Sequence, residues 1–147
     1  MKVRIPHLSA ALLCAMSLAT AASAADLPAE QQVRQLLMAT FDKPDARLLV
    51  EPIVVQGDVA IAGWTQAERG GRALLKRHHG AWQVSLCSGD GLKDPKVLAE
   101  TGMAPSDAKR LAERLVRAEA SLPAAQRAKF SSFDGLLRMD AQGHHPH

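Results

Sequence analysis

GRALLKRHHGAWQVSLC, residues 71–87, decides the fold. From Gly71 to His78 the side chains alternate in part, Arg72, Lys76 and His78 against Ala73, Leu75 and Arg77, with Leu74 breaking the pattern. Gly80 permits a turn, and Ala81 to Cys87 alternates cleanly: Trp82, Val84 and Leu86 against Gln83, Ser85 and Cys87. A side-chain period of two on either side of a short turn predicts an antiparallel hairpin. Working upstream, Val59–Thr65 and Arg47–Gln56 read as two more strands joined by the turn signal Gly57-Asp58. A looser connection, Gln66–Gly70, leads into the hairpin. Consecutive strands with short connections predict a four-stranded antiparallel meander, one face apolar and the other wetter.

Helices flank the strands. Asp26–Phe41 carries Val33, Leu36, Leu37 and Phe41 at helical spacing, with Pro28 in its first turn, and Asp42-Lys43-Pro44-Asp45 ends it. Asp94–Thr101 predicts a short helix stopped by Gly102. Pro105–Ser121 has an apolar stripe of Leu111, Leu115, Ala118 and Leu122 and a solvated face of Lys109, Arg110, Glu113, Arg114 and Arg117. Pro123 starts a last short helix to about Phe130, and Phe133–Met139 returns as an extended piece. The order predicts an α+β domain: an N-terminal helix, the four-stranded meander, and C-terminal helices packed on one sheet face. The run His78–Val84 is similar to the hairpin ending small cone-shaped domains of the nuclear-transport-factor-2-like or cystatin-like type.

The leader sets the compartment. Lys2 and Arg4 precede an apolar run from Leu8 to about Ala19, and Ala22-Ser23-Ala24 is an A-x-A cleavage site. Residues 1–24 therefore read as a secretory signal peptide, too short for the roughly 20 apolar residues of a membrane span. Residues 25–141 read as a single α+β domain and 142–147 as a disordered His-rich tail. The expected destination is the periplasm, with no membrane span after cleavage. The chain has 18 basic and 15 acidic residues. Loss of Lys2 and Arg4 leaves 16 against 15, with no basic field for nucleic acid. Two Trp, three Phe and no Tyr give no platform for stacking bases. Cys14 leaves with the leader, so the exported chain keeps only Cys87 and cannot form an internal disulfide.

Candidate chemistry is thin. The ending MDAQGHHPH carries His144, His145 and His147, whose imidazoles suit copper, zinc or nickel, and Met139 adds a thioether that favours Cu(I). The alternative is a tail that is rich in imidazole by composition alone. Cys87 enters Ser88-Gly89-Asp90-Gly91, whose backbone amides can lower a thiol pKa; it is either a thiolate, acting as a Cu(I) ligand or a nucleophile, or a buried small hydrophobe. His78 and His79 fit a polar hairpin tip better than a ligand pair, and Met103 fits a packing staple. No H-E-x-x-H pair, paired-cysteine framework, phosphate loop or nucleophile elbow is present, and no carboxylate is placed beside a His for acid–base work. No catalytic residue is assigned, and the chain is not expected to be an enzyme.

The stretch IAGWTQAERGGRALLKRHHGAWQVSLCSGDGL (61–92), followed by a Leu/Ala/Arg helix and FDGLLRMDAQGHHPH, resembles the copper uptake system-associated proteins, small exported bacterial proteins associated with outer-membrane copper acquisition. The most specific pieces are Gly63-Trp64-Thr65-Gln66, Gly70 to Leu75, Leu86 to Asp90 and Arg138-Met139-Asp140. The resemblance implies a place in the copper uptake pathway, and with the residue chemistry the expected ligand is a copper ion. It also implies, as partner, an outer-membrane TonB-dependent copper receptor or another uptake component. With the residue chemistry, the expected metal ligands are His144, His145, His147 and Met139, with Cys87 as a further candidate. The alternative is a periplasmic protein-interaction or small-ligand-binding module with no direct metal role.

Overall fold

The computed structural model describes residues 27–139. Helix α1 (Ala29–Phe41) is followed by strands β1 (Leu48–Gln56), β2 (Val59–Gln66), β3 (Arg69–His78) and β4 (Ala81–Ser88). A 3-10 turn (Asp90–Lys93), α2 (Pro95–Glu100), α3 (Pro105–Ala120), α4 (Ala124–Phe130) and a short β5 (Leu136–Arg138) complete the chain. The sheet is an antiparallel meander in the order β1-β2-β3-β4-β5. The fold is α+β, and β5 extends the expected four strands to five.

The local chemistry explains the boundaries. Asp42 leaves the helical region with ψ 137°, and its Oδ1 accepts from the Leu48 amide at 2.7 Å, so one side chain both ends α1 and anchors the start of β1. Asp94 caps α2 through the Lys96 amide at 2.8 Å, and Pro95 occupies the first turn, where a missing N–H costs nothing. Gly102, at φ +95°, makes the break into α3 that a residue with a Cβ would strain to adopt. His79 and Gly80 both have positive φ, which gives the β3–β4 hairpin the twist of its strands. His78 and His79 are exposed at that tip.

Both sheet faces are buried, where one wetter face was expected. Helix α1 covers the first face with Val33 and Leu37 against Val50, Ala60, Ala62, Leu75, Trp82 and Val84. Helices α2 and α3 cover the second with Leu98, Leu111 and Leu115 against Ile61, Leu74 and Leu86. Leu74 is thus no defect in the alternation, because it belongs to a second core. Each fully buried leucine of this kind contributes about 1.5–3 kcal/mol.

Two bulges set which side chains reach which face. In β4, Leu86 pairs with Leu74 but Val84 pairs with Leu75, so Ser85 is the extra residue. A single inserted residue reverses the facing of everything beyond it. Leu86 therefore joins the second core, and Cys87 joins Trp82 and Val84 on the first. The unbroken alternation expected for Ala81–Cys87 is corrected at this point. In β1, Glu51 and Pro52 together oppose Gly63. A Cβ on Gly63 would lie 2.7 Å from the Glu51 carbonyl oxygen, so the backbones meet closely only because the side chain is absent.

The second face also holds an ion pair. Arg72, 1% exposed, donates from Nε and Nη2 to the two Glu119 carboxylate oxygens at 2.6 and 2.7 Å. Its Nη1 reaches Asp90 at 3.3 Å, and its guanidinium lies 5.2 Å from the centre of the Phe130 ring. The buried stripe of α3 therefore runs Ala108, Leu111, Ala112, Leu115 and then Glu119, with Ala118 only half-buried.

At the β1 edge, two arginines reach across from opposite helical layers. Arg34 of α1 donates to the Val50 carbonyl, and Arg114 of α3 donates to the Val55 carbonyl at 2.8 Å.

Candidate functional site

The first face is incompletely filled. Between α1, the sheet and the C-terminal segment lies a cavity of about 200 Å³. Leu37 and Phe41 come from α1, Leu48 from β1, Trp64 and Gln66 from β2, Ala73 from β3 and Cys87 from β4. Phe133, Leu137 and Met139 close it from the C-terminal side. The strand residues arrive there by alternation, and Cys87 by the Ser85 bulge.

The C-terminal wall is held by polar contacts to the sheet. Ser132 Oγ accepts from the Gly70 amide at 3.1 Å, Ser88 Oγ donates to the Gly135 carbonyl at 2.8 Å, and the Met139 amide donates to Ser85 O at 3.0 Å. Trp64 and Phe133 meet edge to face, with ring centres 6.0 Å apart. Gly71 makes room for that pair, since a Cβ there would sit 3.0 Å from both the Phe133 Cβ and the Trp64 ring.

Among the described residues, the lining carries no charged side chain. Its polar groups are the Gln66 side-chain amide, the Cys87 thiol and the Trp64 indole N–H. Gln66 Nε2 donates to the Phe41 and Ala46 carbonyls at 2.9 and 2.7 Å. With both amide protons committed, the Gln66 side chain can offer the cavity only an acceptor oxygen. Cys87 is 8% exposed, and burial pushes its thiol pKa up to about 11. The group is therefore a neutral thiol near neutral pH, unsuited to act as a nucleophile. The Gly-rich turn after β4 does not counter this by lowering the thiol pKa. Asp90, in that turn, is held below its usual pKa by a hydrogen bond from Lys93, with Ser131 and the Lys93 and Arg72 charges adding to it against some desolvation.

Of the expected metal ligands, Cys87 and Met139 both line one cavity. Both are soft sulfur donors, which suits Cu(I) at low coordination number better than Zn(II) or Cu(II). His144, His145 and His147 lie outside the described residues. Met103 packs against the second core, on the other side of the sheet from Cys87. Among the described residues, no three His, Cys, Asp or Glu side chains converge as a metal group.

Sequence reading alone did not single out Gln66, Phe41 or Phe133 as wall residues. A signal was present in the composition: of only five Phe and Trp residues, three line this one space. Among the described residues, no helix is long and apolar enough to cross a membrane. No family model, curated protein or solved structure matches the chain.

Proposed function

We propose that this protein is an exported, periplasmic accessory protein of copper uptake that carries Cu(I) as cargo. Cys87 and Met139 supply sulfur, the imidazoles of His144, His145 and His147 assist capture, and an outer-membrane TonB-dependent receptor or another uptake component is the exchange partner. The observation that carries this reading is that Cys87 and Met139 line the same cavity, with the His-rich ending following Met139 directly in the chain. The leader sequence and the resemblance of residues 61–92 support the compartment and the pathway.

The chemistry follows from the thiol. Binding Cu(I) forms a copper–thiolate bond at Sγ and releases the Cys87 proton to solvent, while the thioether of Met139 binds without proton loss. A thiol pKa of about 11 means that proton and metal compete strongly. Affinity should therefore rise about tenfold per pH unit across the neutral range.

Competition for Cu(I) against a colorimetric chelator tests this on the full chain, Cys87→Ser, Met139→Leu and a chain ending at Ala141. Cys87→Ser should bind at least about tenfold more weakly and lose the pH dependence. Met139→Leu, which nearly conserves volume, should bind more weakly while keeping the pH dependence. Unchanged affinity in both sulfur variants would overturn the sulfur site, and unchanged affinity in the shortened chain would remove the imidazoles from it.

A further inference from the structure

The cavity between α1 and the sheet has a shape and chemistry that the copper reading does not use. A dry apolar cavity of about 150 Å³ is large enough to take up benzene, and the space here is about 200 Å³. That is below the range of about 300–1,000 Å³ usual for drug-sized ligands, so it suits one ring or a short branched chain. Phe41, Trp64 and Phe133 supply aromatic walls, and Ala73 forms a small-residue floor on β3. Among the described residues, no cation or carboxylate faces the space. A charged ligand would lose hydration there with no opposite charge among the described lining residues to offset it. Gln66 has spent both amide protons on backbone carbonyls, so its side chain can offer a ligand only the acceptor oxygen.

We infer that the cavity binds a neutral, apolar small molecule about the size of one aromatic ring, whose one polar group is a hydrogen-bond donor such as a hydroxyl. This site does not depend on the copper reading, because it needs the wall and floor of the cavity but no metal.

The test is a titration of metal-free full chain with benzyl alcohol, followed by NMR at the Met139 methyl and the Trp64 indole. Benzoate and benzylammonium serve as charged probes of nearly the same shape. Saturable shifts are expected with benzyl alcohol, and binding at least about tenfold weaker with either charged probe. Ala73→Leu fills the floor and should weaken benzyl alcohol binding at least about tenfold while the circular dichroism spectrum is retained. Absence of a saturable shift in the native chain would overturn the inference, whatever the variant does. Equal binding of a charged probe, or unchanged affinity in a folded Ala73→Leu protein, would overturn it as well. A failure here leaves the Cu(I) competition result standing, since that experiment reads the metal donors and not the apolar walls.

Discussion

The two faces of the sheet are built from the same strands and finished differently. The second face is sealed by α2 and α3 with fully buried leucines and closed at one end by the Arg72–Glu119 pair. The first face is covered by α1 and by a C-terminal segment whose strand β5 is three residues long, and it retains an apolar cavity. Ala60, Ala62 and Ala73 line the strands under α1, where Ile61, Leu74 and Leu86 stand under α3. The first face also carries Leu75, Trp82 and Val84, so the difference is local: where Ala73 lines the cavity, its neighbour Leu74 fills the core on the other side.

The largest expected effect tests how closed the second face is. Glu119→Ala removes both short bonds to the buried Arg72 guanidinium, leaving it only the longer contact to the exposed Asp90, and should cost about 3 kcal/mol in urea denaturation. The pair Arg72→Met with Glu119→Leu should recover most of that loss, since an apolar pair avoids the desolvation. A cost near zero for Glu119→Ala would mean that water reaches Arg72 and that the contrast between faces is overstated.

The next effect compares leucines across the sheet. Leu111→Ala, on the sealed side, should cost about 2–5 kcal/mol. Leu137→Ala, on the half-buried wall of the cavity, should cost about 1 kcal/mol, because its loss enlarges an existing space. Equal costs would show that the cavity side is packed as tightly as the other.

Titration sharpens the same contrast. The Cys87 pKa is raised in the folded chain from 9.0 to about 11, so the folded state holds the proton more firmly than the unfolded one. That contribution is fully present below pH 9 and is lost as pH rises through about 11, amounting to about 2–3 kcal/mol. Denaturation midpoints measured across this window should fall for the native chain and fall less for Cys87→Ala. In parallel, native Cys87 at pH 8 should alkylate about a hundredfold more slowly than in the unfolded chain.

The smallest effect belongs to Asp90. Its pKa is depressed in the fold, so its contribution is present above the ordinary carboxylate pKa and disappears as pH falls through the depressed value. Because Asp90 is more than half exposed, solvent screening keeps the effect slight. Asp90→Asn should differ a little from the native chain at pH 6 and converge with it in strong acid.

The meander was legible because Gly57-Asp58 and Gly80 punctuate strands of period two, and α3 because its leucines recur at helical spacing. The turn at Ala67-Glu68 was not. Ala67 adopts φ +52° with none of the Gly or Asn that normally signals such a turn, so a two-residue hairpin looked like a looser loop. The double burial of the sheet was visible in one residue, Leu74, which makes Ala73-Leu74-Leu75 a continuous apolar run of the kind found in strands covered on both sides. The Ser85 bulge has no residue signature, yet it decides that Cys87 faces the cavity rather than α3. Arg72 and Glu119 are 47 positions apart, and an arginine in an alternating strand looks solvated until the helix that carries its partner is in place. The cavity escaped for a similar reason, since its wall is assembled from α1, four strands and the C-terminal segment.

The two arginines at the β1 edge bear on how this protein behaves in a crowded compartment. An unpaired outer strand is a template on which a second molecule can continue the hydrogen-bond ladder. Here the carbonyls of Val50 and Val55 are already occupied by Arg34 and Arg114, and Pro52 between them has no N–H to offer. Along that border the ladder has neither free acceptors at those two carbonyls nor a donor at residue 52, so copies of the protein meeting edge to edge find positively charged side chains in place of a strand to extend.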